Sequence, residues 1–341
     1  MNCFRKVINQ LWDRKNKKIK LLYYANEYIK LIFSLPYSPY ALPNKLKKLS
    51  KYNIEYLKYR INYYNKVSDN TVLPDNVQKL GHFKYQSEFK TYFFDTYRYK
   101  RYFIPNQKFS YLFGDITKIP KYPTVVKSRP ISKNNTNSIL LNLNTVRHFV
   151  FINDNTSYEK KFNKIVWRGN VWDHQPQRVN FFKKHFLNPI CDIGHINNAG
   201  LNPNWIKNKY TINEQLQYKF ILSIEGNDVA TNLKWIMSSN SIAVMPTPRY
   251  ETWFMEGTLI PDYHYIHIND DYSDLNKKLN YYINNPDKAI KIIHNAQAFV
   301  KQFQNKEQEK LISLLVLQKY FNKTSEKYAV TDFPSISLKP I

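Results

Sequence analysis

The sequence is poor in cysteine, in glycine and in acidic residues, and it has no long uninterrupted apolar run. Cys3 and Cys191 are the two cysteines among 341 residues. They exclude a disulfide framework or a cysteine zinc site and suit a reducing compartment. The opening MNCFRKVINQLWDRKNKKIK lacks the unbroken apolar core of a secretory signal. Residues 19–36, IKLLYYANEYIKLIFSLP, are apolar but carry Asn26, Glu27 and Lys30, which predicts an amphipathic or core helix and no membrane span. A cytosolic protein that at most lies on a membrane face is the expectation. No internal repeat or low-complexity linker interrupts the chain.

The shortage of acid leaves 26 Asp and Glu against 51 Lys and Arg, a formal charge of +25. Residues 1–66 alone hold fifteen basic residues against Asp13, Glu27 and Glu55. A basic end seeks a polyanion: nucleic acid, an anionic membrane face or a phosphorylated glycolipid. The many Asn, Ile and Tyr residues are what an AT-biased genome also gives, so charge alone does not choose among these partners. Aromatic residues are plentiful, with 28 Tyr and 21 Phe, and a chain of this length and apolar content folds, most simply as two domains.

Residues 17–33 and 44–66 read as helices; in the second, Leu46, Leu49, Ile54, Leu57 and Ile61 recur at helical spacing. Residues 67–107 show no clear period. Phe109, Tyr111 and Phe113 then alternate, which predicts a strand over 109–115 ending at Gly114-Asp115 before a basic loop punctuated by Pro120, Pro123 and Pro130. From 163 the pattern sharpens. NKIVWRGN (163–170) reads as a strand, QPQRVNFFKKHF (175–186) as a helix, and YKFILSIEG (218–226) as a strand suited to a covered parallel sheet. TNLKWIMSSN (231–240) as helix and SIAVMP (241–246) as strand complete a βαβ unit, so a parallel α/β domain is expected. Helices follow over 270–285, with Asp271 or Ser273 at its start, 287–304 and 306–322. The predicted division is 1–150, 151–305 and a C-terminal helix and tail, 306–341.

The chemistry concentrates at strand ends. Asp115 either caps a turn or meets a ligand, since ligands of open α/β sheets gather where strands end. Arg168, after an apolar strand and before Gly169, either pairs with a carboxylate or reaches a ligand. The loop EGNDVATN is a plain βα connection or a phosphate cradle at the head of the next helix. With Gly226 as its one glycine it is neither G-x-G-x-x-G nor a Walker loop. Lys234 in the first turn opposes the helix dipole unless an anion sits nearby. The aromatic loop 246–268 carries Arg249, Glu251 and Glu256 and suits either sugar binding or packing. Asp270 and Asp271 resemble a metal-holding acidic pair but read as helix caps, and His264 and His267 face opposite ways.

Taken together, KIVWRGN…QPQRVNF and YKFILSIEGNDVATNLKWIMSSNSIAVM…YETWF…LIPDYHYIHI resemble the glycosyltransferase 90, or CAP10-like, family over roughly 109–305. The first hundred residues carry no such resemblance. The family implies a GT-B-like α/β fold of two Rossmann-like lobes with a cleft between them. It also implies a UDP-sugar donor, inversion at the anomeric carbon and no required metal. GDITKIPK matches the family's base segment R-D-x-x-x-[VI]-P-[KR] from Asp115 onward, with glycine replacing the arginine, and makes Asp115 the implied catalytic base. Donor binding falls on Arg168, Gly169, Gly226, Asn227, Thr231, Asn232, Lys234 and Glu251, with Asn232 standing where the family often has arginine. The absence of a signal-like segment favours a cytoplasmic enzyme, peripheral at the inner membrane, that acts on a glycolipid or oligosaccharide such as lipopolysaccharide core. The alternative is a basic nucleic-acid-binding protein, but the basic residues are densest outside the best-formed α/β half.

Overall fold

The computed structural model describes residues 20–33, 41–198 and 200–325; Cys3 and the start of the first expected helix lie outside them. The strands are β1 (Tyr111–Leu112), β2 (Thr124–Val126), β3 (Ser128–Pro130), β4 (Ser138–Leu140), β5 (Phe162–Gly169), β6 (Cys191–His195), β7 (Tyr218–Leu222), β8 (Ile242–Met245), β9 (Tyr250–Thr252) and β10 (Ile266–His267). The helices are α1 (20–32), α2 (Ala41–Leu46), α3 (Ile54–Tyr64), α4 (Lys90–Lys100), α5 (Thr145–His148), α6 (Pro176–His185), α7 (Ile212–Gln215), α8 (Leu233–Met237), α9 (Leu275–Asn284), α10 (Pro286–Lys301) and α11 (Lys306–Thr324). The chain divides into two compact units, and neither is contiguous. Within the described residues the first takes in 20–25, 146–249 and 255–302, the second 26–33, 41–145, 250–254 and 303–325.

The first unit is the expected parallel α/β body. Its five strands run in the order β10-β8-β7-β5-β6, every neighbour parallel. The apolar run of β7 sits at the centre, where both faces are covered. Ile165 and Trp167 of β5, two apart and so on one face, join Phe220, Leu222, Ile242 and Val244 in a core closed by Phe181 and Phe182 of α6 and Leu275 and Leu279 of α9. β6 was not read from the sequence; its Cys191 is buried, and burial pushes that thiol up to about 12, which leaves it an inert packing group.

The second unit carries a small parallel sheet, β1-β2-β4, and an antiparallel pair, β3-β9. Several expectations are corrected here. The helix expected over 44–66 is broken: α2 passes into a 3₁₀ turn at Lys47–Lys51, and α3 starts afresh at Asn53, whose side chain accepts from the Tyr56 amide. The apolar spacing survived the break because both pieces bury it, through Leu46, Leu49, Leu57 and Ile61. The strand expected over 109–115 shrinks to β1, and Gly114 takes φ +100° to turn the chain before Asp115. The alternation itself holds, since the rings of Phe109, Tyr111 and Phe113 all meet Phe83. The basic loop beyond holds as far as residue 123 and then gives way to strands: TVV forms the buried β2 and SRP forms β3. α4, in the stretch without a period, is masked in the sequence because Tyr92, Phe93, Phe94 and Tyr99 bury it on more than one side.

At the centre of this unit Arg60 is wholly buried. Its Nη2 donates to both oxygens of Glu309 at 3.1 and 3.0 Å, and its Nε donates to the Tyr64 hydroxyl at 2.8 Å. Trp253 Nε1 donates to the same carboxylate while its ring stacks on Tyr64 at 3.8 Å. The network ties α3, α11 and the segment after β9. Arg60→Ala would strand the buried carboxylate, and denaturant titration should show a loss of about 3–5 kcal/mol; a loss under about 1 kcal/mol would show that the network does not organise the unit.

Candidate active site

A doubly wound sheet offers its ligand crevice at the carboxyl ends of the strands, where the strand order reverses. In the first unit that reversal falls between β5, which leads outward to β6, and β7, which leads the other way. The loops leaving β5 and β7 meet there. Gln175 Nε2 donates to Asn227 Oδ1 at 2.9 Å, with the His174 ring 3.3 Å from the same oxygen. Gln177 Nε2 donates to the carbonyls of Glu225 at 3.1 Å and Gly226 at 2.6 Å.

Arg178 joins the two strand ends. Its guanidinium donates to the carbonyl oxygens of Asn170 at 2.6 Å, Ile224 at 3.2 Å and Glu225 at 3.1 Å. Burial pulls it down to about 10, with the charge of Asp228 opposing, so it is a cation at neutral pH whose hydrogen bonds go to neutral acceptors. The fit is close: a Cβ on Gly226 would stand 2.8 Å from Arg178 Nη2. At the rim Trp172 is exposed and lies parallel to the His174 ring. Arg178 falls within the QPQRVNF segment of the expected helix, where no local signal marks it as the residue that joins two strand ends.

The predicted residues of this unit take different stations. Gly169 ends β5, where a Cβ would fall 2.6 Å from Trp167 Cζ2. Asn232 braces the loop, donating to the Leu222 carbonyl at 2.9 Å and accepting from Ser223 Oγ at 3.2 Å. Asn227 is exposed and Gly226 and Thr231 are half-buried. Arg168 and Lys234 are turned inward. Arg168 folds back over the sheet, donates to Asp192 Oδ1 at 2.6 Å and to the Asp192 carbonyl at 2.7 Å, and lies 4.0 Å from the Tyr210 ring centre. Lys234 is wholly buried, 2.5 Å from Glu256, on a helix shortened from the expected ten residues to five. Asp192 and Glu256 are the partners that the sequence reading did not supply, because each lies more than twenty residues from its cation.

The other two predicted residues, Asp115 and Glu251, belong to the second unit, and they are held by Lys127 and Arg129, at alternate positions on either side of Ser128. Lys127 Nζ, buried just before β3, donates to Asp115 Oδ1 at 2.7 Å, and the Asp115 side chain stays 38% exposed. Arg129 within β3 faces Glu251 across the β3-β9 ladder. Its Nε donates to Glu251 Oε1 at 2.7 Å and its Nη groups to the carbonyls of Tyr63 and Ser138, while the Tyr63 hydroxyl also donates to Glu251. Between them Ser128 Oγ accepts from the Ile116 amide at 3.2 Å, fixing the chain directly after Asp115. Asp115 is thus an oriented carboxylate open to solvent, whereas Glu251 is enclosed.

Among the described residues no group of three or more His, Cys, Asp or Glu side chains has metal-ligand spacing. Asp270 and Asp271 are exposed. The expected cap is corrected: α9 begins at Leu275 with Asp274 at its N-cap, and Asp271 instead accepts from the amide and hydroxyl of Ser273.

The chain that builds this parallel sheet matches known proteins in sequence. The model of glycosyl transferase family 90 matches residues 140–331. The chain is 44% identical over 263 residues to an O-glucosyltransferase, LpsA, of Dichelobacter nodosus, an overlap of 77% of this chain and 82% of that one. The chain belongs to glycosyl transferase family 90 and is a glycosyltransferase. A nucleic-acid-binding protein without catalysis is not favoured by these matches.

Burial alone would raise the Asp192 carboxyl, but hydrogen bonds from Tyr218 and Arg168 and the charges of Arg168 and Lys207 hold it below the usual carboxylate range. A depressed carboxylate stabilises the fold above its unfolded value and loses that contribution as the pH falls through the folded one. Arg168→Ala should therefore melt several degrees below wild type at pH 7, and the gap should narrow toward pH 3. Scanning fluorimetry checks this; a gap independent of pH would remove the ion pair as its cause.

Proposed function

We propose that this glycosyltransferase is an inverting, metal-independent O-glucosyltransferase that uses UDP-glucose and acts on a hydroxyl of a surface glycolipid, of the lipopolysaccharide-core type. The donor sugar is taken from the O-glucosyltransferase relative, and the wider reading is transfer of a hexose or pentose from a UDP-sugar. The observation that carries the reading is the switch point between β5 and β7, where two loops converge on a half-buried arginine inside a family-90 chain. The two-lobed GT-B arrangement belongs to the same proposal, and the five-stranded parallel unit supports its donor half.

In the proposed reaction the acceptor hydroxyl attacks the anomeric carbon from the face opposite UDP. A carbon–oxygen bond forms there as the bond to the β-phosphate oxygen breaks, and the leaving electron pair goes to UDP. Asp115 takes the hydroxyl proton; Lys127 fixes its orientation and its exposed edge admits the acceptor. On the donor side the amides of the 226–232 loop and the charge of Arg178 stabilise the developing diphosphate charge. Gly169, Asn227, Thr231 and Asn232 shape that loop region. Arg168 and Lys234 act from their ion pairs as supports of the strand and loop they brace, and Glu251 holds β9 against β3.

With a UDP-glucose donor, Asp115→Asn should lower turnover by about a hundredfold or more while donor affinity changes little. Steady-state kinetics decides, and a variant retaining over half the wild-type rate sinks the base assignment. On the donor side, calorimetry with UDP in EDTA should find wild-type affinity unchanged by the chelator. Arg178→Gln should bind about tenfold more weakly. Loss of UDP binding on chelation, restored by Mn²⁺, would overturn the metal-free reading.

A further inference from the structure

α1 is amphipathic the wrong way round for a water-soluble helix. Its inward face is polar: Glu27, 3% exposed, lies 3.5 Å from Arg98 of α4, and at the edge of that face Tyr28, 37% exposed, bonds the Tyr85 hydroxyl at 2.9 Å and packs edge-on to Phe94. At about 100° per residue, Leu21, Leu22, Ala25, Ile29, Ile32 and Phe33 fall in one arc of about 120°. That arc faces solvent, with Leu21 at 69%, Ile32 at 74% and Phe33 at 72% exposure. A buried carboxylate opposite a contiguous exposed aliphatic stripe is the informative inversion.

We infer that this stripe is the surface by which the chain docks on an anionic lipid monolayer. Charge selects the occupant. Arg14, Lys15, Lys17, Lys18 and Lys20 immediately precede the stripe, and residues 1–66 hold fifteen basic residues against three acidic. A second copy of the chain would bring these like charges together. A single-stranded nucleic acid would accept the cations but stacks on aromatic rings, and the stripe is aliphatic apart from Phe33. Anionic headgroups over acyl chains satisfy the cations and the aliphatic face at once. No helix among the described residues is long and apolar enough to cross a membrane, so α1 lies in the interface. The inference deepens the glycolipid-acceptor reading by naming the element that holds the enzyme at its acceptor's surface.

Vesicle flotation of the full chain tests it without any sugar turnover, so its outcome is separate from that of the donor assignment. Wild type should float with vesicles of phosphatidylglycerol and phosphatidylcholine and far less with phosphatidylcholine alone. Leu22→Ser/Ile29→Ser/Ile32→Ser/Phe33→Ser should lower partitioning by about a hundredfold or more with melting unchanged. Phe33→Ser alone, expected to cost about fivefold, serves should the fourfold variant melt early. Wild type that stays in the pellet with anionic vesicles, or stripe variants that float as wild type does, overturns the inference. So does a wild-type dimer that the stripe variants dissociate, or retention on single-stranded RNA that they alone abolish.

Discussion

A cation taken out of water must find a partner, and this cation-rich chain is organised by how it meets that demand. Arg60, Arg129, Lys161 and Lys234 are each buried, and each is set against a carboxylate: Glu309, Glu251, Asp154 and Glu256. Removing either member of such a pair leaves an uncompensated charge in a poor dielectric, so the pairs specify which segments lie together more than they add net stability. Arg129–Glu251 fixes β9 on β3, Arg60–Glu309 fixes α11 on α3, and Lys234–Glu256 fixes the start of α8 against the segment after residue 254. Four of the 26 acidic residues serve these junctions.

Arg178 is the exception on which the proposed donor site rests. It is half-buried rather than enclosed, and carbonyl oxygens and a glutamine amide, all neutral, accept its hydrogen bonds. A charge that is satisfied in hydrogen bonds but not neutralised by a bonded anion leaves a positive potential at the strand ends, which suits the diphosphate of the proposed donor. Arg168, one residue from the end of β5 and more conspicuous in the sequence, is neutralised by Asp192 and stacked on Tyr210. Distinguishing the two required the partner's position, and a sequence does not print that.

Much of the first unit could be read directly. Strands β5, β7 and β8 and helices α6, α10 and α11 lie within a few residues of their expected bounds, because apolar runs and helical periods are local signals. What escaped was set by distant contacts. β3 is three residues of SRP whose strand character comes from pairing with β9, and β2 is a buried TVV whose partners are β1 and β4. α4 lost its period because it is buried on several sides, and the break at Asn53 was hidden because burial continued across it. At the site, the switch-point loop was found from its place after the strongest strand. The stations of Arg168, Lys234 and Glu251 were not, since each depends on an anion or cation far along the chain.

The short return of residues 250–254 into the second unit has a consequence for how the protein is made. The β3 strand pairs Arg129 with Glu251, 122 residues later, and Arg60 waits for Glu309, a separation of 249. Loop closure over such spans is slow, and the contacts that reward it come late. During synthesis the second unit, although it supplies the earlier half of the chain, is completed only after the entire five-stranded unit has left the ribosome. Until then Arg60 has no Glu309 to meet, whereas Glu251, the partner of Arg129, emerges between β8 and β10. The first unit is complete in sequence at residue 302, whereas the unit that holds Asp115 draws on residues beyond it.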